Sequence, residues 1–198
     1  MSTPWDYLFV RLNGAGQAHR RLAEGLAAAR AAAGGDVVAQ FQPQLGWWAN
    51  EAAVLAHGGD LAPVEAAIAK EGLVVERHRL TPTARPRAED RLIGGGVYVH
   101  RWFTVGAADV DEFVALSAEA WPSFETQFDA KIFGLFRAEP DAADAAAGQV
   151  RLLLLTRYGD HGVWEASRDP TTDAMQIFFR RQQLTRQTRA CSTLLVGG

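Results

Sequence analysis

Cysteine is almost missing from this sequence: Cys191 is the single one in 198 residues. No internal disulfide can form, which excludes a small disulfide-stapled scaffold. A lone thiol fits a reducing compartment, and a cytoplasmic location is the expectation. Long apolar runs are missing too. No stretch reaches the roughly 18–20 residues that a membrane-crossing helix needs, so no membrane partner is expected. The opening "MSTPWDYLFVRLNG" has no basic region leading into an apolar one, so no signal peptide is expected either. Nor does one sign of charge dominate. Twenty Lys and Arg stand against 23 Asp and Glu, a net −3. That excludes a general attraction to nucleic acid. The five histidines, His19, His57, His78, His100 and His161, are scattered and never spaced as paired ligands. No metal and no cofactor is expected.

What is present is a core-forming composition, 48% hydrophobic, arranged twice. "DYLFVRL" (6–12) reads as a strand and "GQAHRRLAEGLAAARAAAGG" (16–35) as a helix with a glycine stop. "VVAQFQ" (37–42) and "AAVLAHGG" (52–59) read as paired strands. "LAPVEAAIAKEG" (61–72) reads as a second helix and "LVVERHRL" (73–80) as a fourth strand. After the Pro- and Arg-rich linker the order repeats. "VYVHRWF" (97–103), "DVDEFVALSAEAWPSFETQF" (109–128), "KIFGLFRA" (131–138), "VRLLLLTRYGD" (150–160), a helical region over 161–188 and "ACSTLLV" (190–196) fill the same places. Pro122 is expected to bend or divide its helix, and Asp169-Pro170 to restart the last one. "EPDAADAAAGQ" (139–149) reads as a mobile hairpin connection. The three glycines at 94–96 precede a strand and follow a linker, so they read as a junction and not as a phosphate loop.

Each βαββαβ half is a ferredoxin-like unit. The fold class is therefore α+β, with two tandem ferredoxin-like units expected to pack sheet to sheet as a dimeric α/β-barrel-type fold. The boundaries are 1–82, a linker over 83–95, and 96–198. The two sheets can face each other within one chain, or each can pair in a homo-oligomer. Leu8, Val10 and Leu12 suit the helix side of the first strand, which leaves Tyr7, Phe9 and Arg11 on the open face. Setting Arg11 on Arg101, and "LAHGGD" on "LTRYGD", carries that register across the repeat. It places Val97, Val99, Arg101 and Phe103 on the open face and turns Tyr98, His100 and Trp102 toward the helices. Leu155 and Arg157 take the open face with Leu55 and His57. A slip of one residue exchanges every face.

"VYVHRWFTVGAADVDEFVALSAEAWPSFE" resembles the opening of the NIPSNAP family, an aromatic strand with an arginine followed by a glycine turn and an amphipathic helix. Tyr98, Arg101 and Val105 fit that pattern, with Phe103 in place of its second tyrosine. "LLLLTRYGDHGVWEASRD" is similar to the family's later segment through Tyr158, Trp164 and Arg168. The likeness covers residues 97–196. It implies a dimeric α/β-barrel fold, in a superfamily that holds cofactor-free monooxygenases, isomerases, haem enzymes and stress-response proteins. It implies no catalytic residues.

Arg11, His57, Arg101, Phe103 and Arg157 are the candidate ligand-binding residues, for a cavity between the sheets. Cationic groups around an apolar cavity demand counter-charge, which a carboxylate, enolate or phenolate ligand can supply. Acids of the chain such as Glu76 or Glu165 are the competing partners for Arg101 and Arg157. His57 and His100 are the candidate proton carriers, with plain packing as the competing role. Trp47-Trp48 suits an interface, the rim of a cavity or core packing. "RRQQLTRQTR" (180–189) reads as a solvated basic face. Three functions stay open: a binder of a small anionic or aromatic molecule, a cofactor-independent monooxygenase or isomerase, and a structural module with no ligand.

Overall fold

The computed structural model describes residues 4–197 and divides them into two compact units, residues 4–81 with 191–197, and Pro82–Ala190. The fold is α+β and each unit is ferredoxin-like. Residues 191–197 group with the first unit, whereas the sequence repeat assigns them to the second.

In the first unit the order is β1 (Trp5–Leu12), α1 (Gln17–Ala33), β2 (Val37–Leu45), β3 (Glu51–His57), α2 (Ala62–Glu71) and β4 (Gly72–Pro82). β1 lies antiparallel between β3 and β4, and β3 pairs on its other side with β2. Residues 192–196 add a further antiparallel segment beside β2. Alternation along β1 sends Leu8, Val10 and Leu12 into a core with Leu22, Leu26, Val54, Val64 and Ile68. α1 stops at Gly34, whose φ of 64° is the left-handed turn that glycine accepts at no steric cost.

In the second unit β5 (Val97–Gly106) is followed by a 3₁₀ turn, Ala107–Asp109, and α3 (Val110–Gln127). Then come β6 (Ala130–Ala138), α4 (Ala142–Ala146), β7 (Gln149–Tyr158), α5 (His161–Ala166), α6 (Asp173–Gln183) and β8 (Thr185–Val196). The strand order is β8–β5–β7–β6. α3 runs through Pro122 as one helix. The acidic stretch expected to be mobile instead forms α4, capped by Asp141, with the buried Asp144 accepting from Gln149 and from Arg151. The last helix restarts later than Asp169-Pro170: Thr172 caps it through Met175 N, and Asp169 closes the preceding turn on Thr171 N.

The expected linker is held to the second unit by several bonds. Thr83 Oγ1 donates to Leu135 O, and Arg85 meets Glu125 at 2.6 Å while lying over the Trp121 ring. The glycines before β5 serve geometry. Gly96 has φ 71°, and a side-chain carbon there would collide with the carbonyl oxygen of Tyr158.

The faces of β5 are the reverse of those expected. Val97, Val99, Phe103 and Val105 pack against Phe113, Trp121 and Phe124 of α3, so Arg101 shares the helix side. Strand pairing explains the reversal. Leu8 stands opposite Val54, and Arg101 stands opposite Leu154. Val54 and Leu154 both belong to helix-side cores. Leu8 is therefore the counterpart of Arg101. Aligning Arg11 with Arg101 misplaces the register by an odd number of residues and flips the face.

Candidate functional site

The second unit holds a cavity of about 330 Å³ between its sheet and its helices. Its floor comes from one face of the sheet: Val99, Arg101 and Phe103 of β5, Ile132 of β6, and Leu154, Thr156 and Tyr158 of β7. These positions are register partners, with Arg101 opposite Leu154, Val99 opposite Thr156, and Thr156 opposite Ile132. The roof comes from α6, which presents Met175, Phe178 and Arg181, and from the α5–α6 connection with Ser167 and Arg168.

Three guanidinium groups converge on this space. Arg181 is 5% exposed. Its Nη1 donates to Ser117 Oγ at 3.2 Å, and its Nε is buried without a partner. Its carbon Cζ lies 4.4 Å from the Phe178 ring centroid, 4.9 Å from that of Phe103 and 5.1 Å from that of Phe113. A cation can rest on aromatic faces, but rings do not return the hydrogen bonds lost with water. Arg101 is half-buried and touches no carboxylate among the described residues. Arg168 stands exposed at the edge of the cavity, 6.0 Å over the Trp164 ring. Among the described residues lining the cavity there is no Asp or Glu.

The electrostatics follow from that arrangement. Burial, and then repulsion from Arg101, push the Arg181 pKa down to about 9. Arg101 is lowered by burial and by Arg168. Burial raises the Tyr158 phenol, against the pull of Arg101, Arg168 and Arg181, and its hydroxyl is hydrogen-bonded with Ser167. Arg101 and Arg181 are thus each destabilised by burial and by a neighbouring cation, and an entering anion would relieve both.

The residues singled out from sequence fall in different places. Arg101 and Phe103 line the cavity, on the helix side of their sheet. Arg157, on the other face of β7, meets Asp129 at 2.6 Å and is not in the cavity wall; neither Glu76 nor Glu165 is its partner. Arg11 is a half-exposed residue of the first unit, 3.7 Å from Glu51. His57, also of the first unit, stacks on Trp5 with ring centroids 4.4 Å apart, its Nδ1 3.4 Å from Asp36. His100 is fully buried on the face of β5 away from the helices, and burial lowers its pKa to about 3. It does not line the cavity. Trp47 packs edge-on against Phe9 while Trp48 is 75% exposed.

Arg181 and Arg168 were not among the expected residues. Arg181 was hidden in a basic run, yet Ala174, Phe178 and Arg181 follow the i, i+4, i+7 spacing of one helical face. That spacing marks the arginine as facing inward.

No protein-family model matches the chain, and no curated protein matches its sequence. Solved structures do match over nearly the whole length. An anthrone oxidase-like protein is 11% identical, with 99% of this chain and 94% of that one covered at a TM-score of 0.62. A haem-binding protein from Thermus thermophilus is 10% identical, with 98% and 92% covered, at 0.53. A monooxygenase-like protein from Listeria innocua is 10% identical, with 96% and 94% covered, at 0.51. The chain shares its α+β, ferredoxin-like fold with these structures. Identities this low establish the fold alone. Among the residues lining this cavity there is no histidine or cysteine, and Tyr158 and Met175 are its only side chains of a type that ligates haem iron.

Proposed function

We propose that the second unit binds a small organic anion with a flat apolar body in the cavity between its sheet and α6. The observation that carries this reading is the buried Arg181, with its free Nε, beside Arg101 in a wall without a carboxylate. Leaving such charge buried and unmatched is costly, and an anion offsets that cost through charge-assisted hydrogen bonds. Phe103, Phe124 and Phe178 supply flat apolar walls for the rest of the molecule. The NIPSNAP-like reading of residues 97–196 is compatible: of the residues that carry that likeness, Arg101, Tyr158 and Arg168 line the cavity. The dimeric α/β-barrel fold implied by that likeness lends support to small-molecule binding, by analogy.

Calorimetric titration with benzoate tests this. Benzoate should bind saturably, and Arg101→Ala should weaken it by roughly tenfold or more, the worth of one charged hydrogen bond. Absence of binding to the parent protein, or equal affinity in the variant, would remove the cavity from the account.

A further inference from the structure

Resting on the anion-binding reading, we propose that the ligand of the second unit carries two negative charges on an aromatic body, as an aromatic dicarboxylate or an aryl phosphate does. The inference comes from the number and placement of the cations. Arg101 on the floor, Arg181 on the roof and Arg168 at the edge reach the cavity from three separate elements. All three interact electrostatically with one another and with Tyr158. None makes an ion pair with a described residue lining the space. Elsewhere in the same unit four arginines are matched: Arg85 with Glu125, Arg151 with Asp141 and Asp144, Arg157 with Asp129, and Arg180 with Glu119. Its other arginines without an ion pair among the described residues, Arg87, Arg91, Arg137, Arg186 and Arg189, are exposed to water. Arg101 and Arg181 differ from these in being turned into a cavity and shielded from water.

A single carboxylate would leave two cations facing each other across a space of about 330 Å³. A dianion leaves an excess of only one positive charge, and Arg168 is the cation that water reaches. The depth differences suit this division. Arg181 and Arg101 would hold one anionic group inside, where aromatic rings flank it, and Arg168 would meet the second toward the edge. Thr156, Gln182, Thr185 and Thr188 offer neutral donors between them.

The test is a set of titrations at constant ionic strength near pH 8 with benzoate, phthalate, phenyl phosphate and inorganic phosphate. Phthalate or phenyl phosphate should bind at least about tenfold more tightly than benzoate, and which of the two is tighter separates the dicarboxylate from the phosphoester. Arg168→Ala should weaken the dianions at least about tenfold more than it weakens benzoate, and equal weakening of all the ligands would overturn the two-charge inference. Dianions no tighter than benzoate would overturn the two-charge inference and leave the anion site standing. Inorganic phosphate matching phenyl phosphate would overturn the aromatic body. Binding by none of the four would overturn the anion-binding reading itself.

Discussion

Arg101 and Leu8 occupy the same place in the two halves of the chain, each opposite the third strand of its unit and each turned to the helices. In the first unit the place is filled by a fully buried leucine in a packed core. In the second it carries a guanidinium on the floor of a cavity. At this one place the first copy is packed with an apolar side chain and the second carries a charge beside a cavity. This difference is what makes the cavity within residues 82–190 the candidate site.

Arg181 sets the pH limit of binding. Its folded pKa is lowered to about 9 by burial and by Arg101. Below about 9 the group is charged and can hold an anion; above it the proton leaves and the attraction goes. Benzoate affinity should stay level from about pH 7 to 8.5 and fall as pH rises further. A bound anion raises that pKa, so binding between about pH 9 and 10 should take up protons, which titration in buffers of different ionisation heat would reveal.

His100 should govern acid stability. It is fully buried, and its pKa falls from 6.5 to about 3 on folding. The unfolded chain therefore binds the proton first, and stability is lost as pH falls from about 6.5 toward 3. At 1.36 kcal/mol per unit, the loss from this residue approaches about 5 kcal/mol. Urea titrations of the parent and His100→Leu from pH 7 to 4 should show a flatter profile for the variant.

Arg157 and Arg101 were drawn from the sequence as one cluster, and they separate experimentally. Arg157 is satisfied by Asp129, so Arg157→Ala should leave benzoate affinity unchanged and lower stability by about 1 kcal/mol or less, as for a partly exposed ion pair.

Gly96→Ala should destabilise by about 1–3 kcal/mol, because a left-handed backbone is strained for alanine and its methyl would meet the Tyr158 carbonyl. A chemical denaturation curve measures it directly.

Much of this architecture was legible in the residues. Alternation in "DYLFVRL" placed Leu8, Val10 and Leu12 toward the helices, and they lie there. The duplication could be read because strand and helix patterns recur in order even where side chains do not. What failed was transfer of register from one copy to the other. Two arginines invited superposition, but hydrogen-bond pairing aligns Leu8 with Arg101, and period-two side chains amplify an odd offset into a change of face. The cavity was harder still. It depends on α5 and α6, for which the first unit has only α2, and on an inward arginine whose neighbours in the chain are exposed. The tandem tryptophans lie in the connection between β2 and β3, where no strand alternation fixes their directions: Trp47 packs on Phe9 and Trp48 is exposed.

The most direct test restores to the second unit what the first unit already has. Thermal unfolding of Arg101→Leu should be followed beside the parent, each with and without benzoate at about 100 times its dissociation constant. Without benzoate the variant should melt as high as the parent or higher, because an unmatched charge has been replaced by apolar packing. Benzoate should stabilise the parent by about 2.7 kcal/mol and leave the variant unmoved. A variant that melts well below a parent indifferent to benzoate would show that Arg101 serves the fold, and would contradict the assignment of this cavity to an anion.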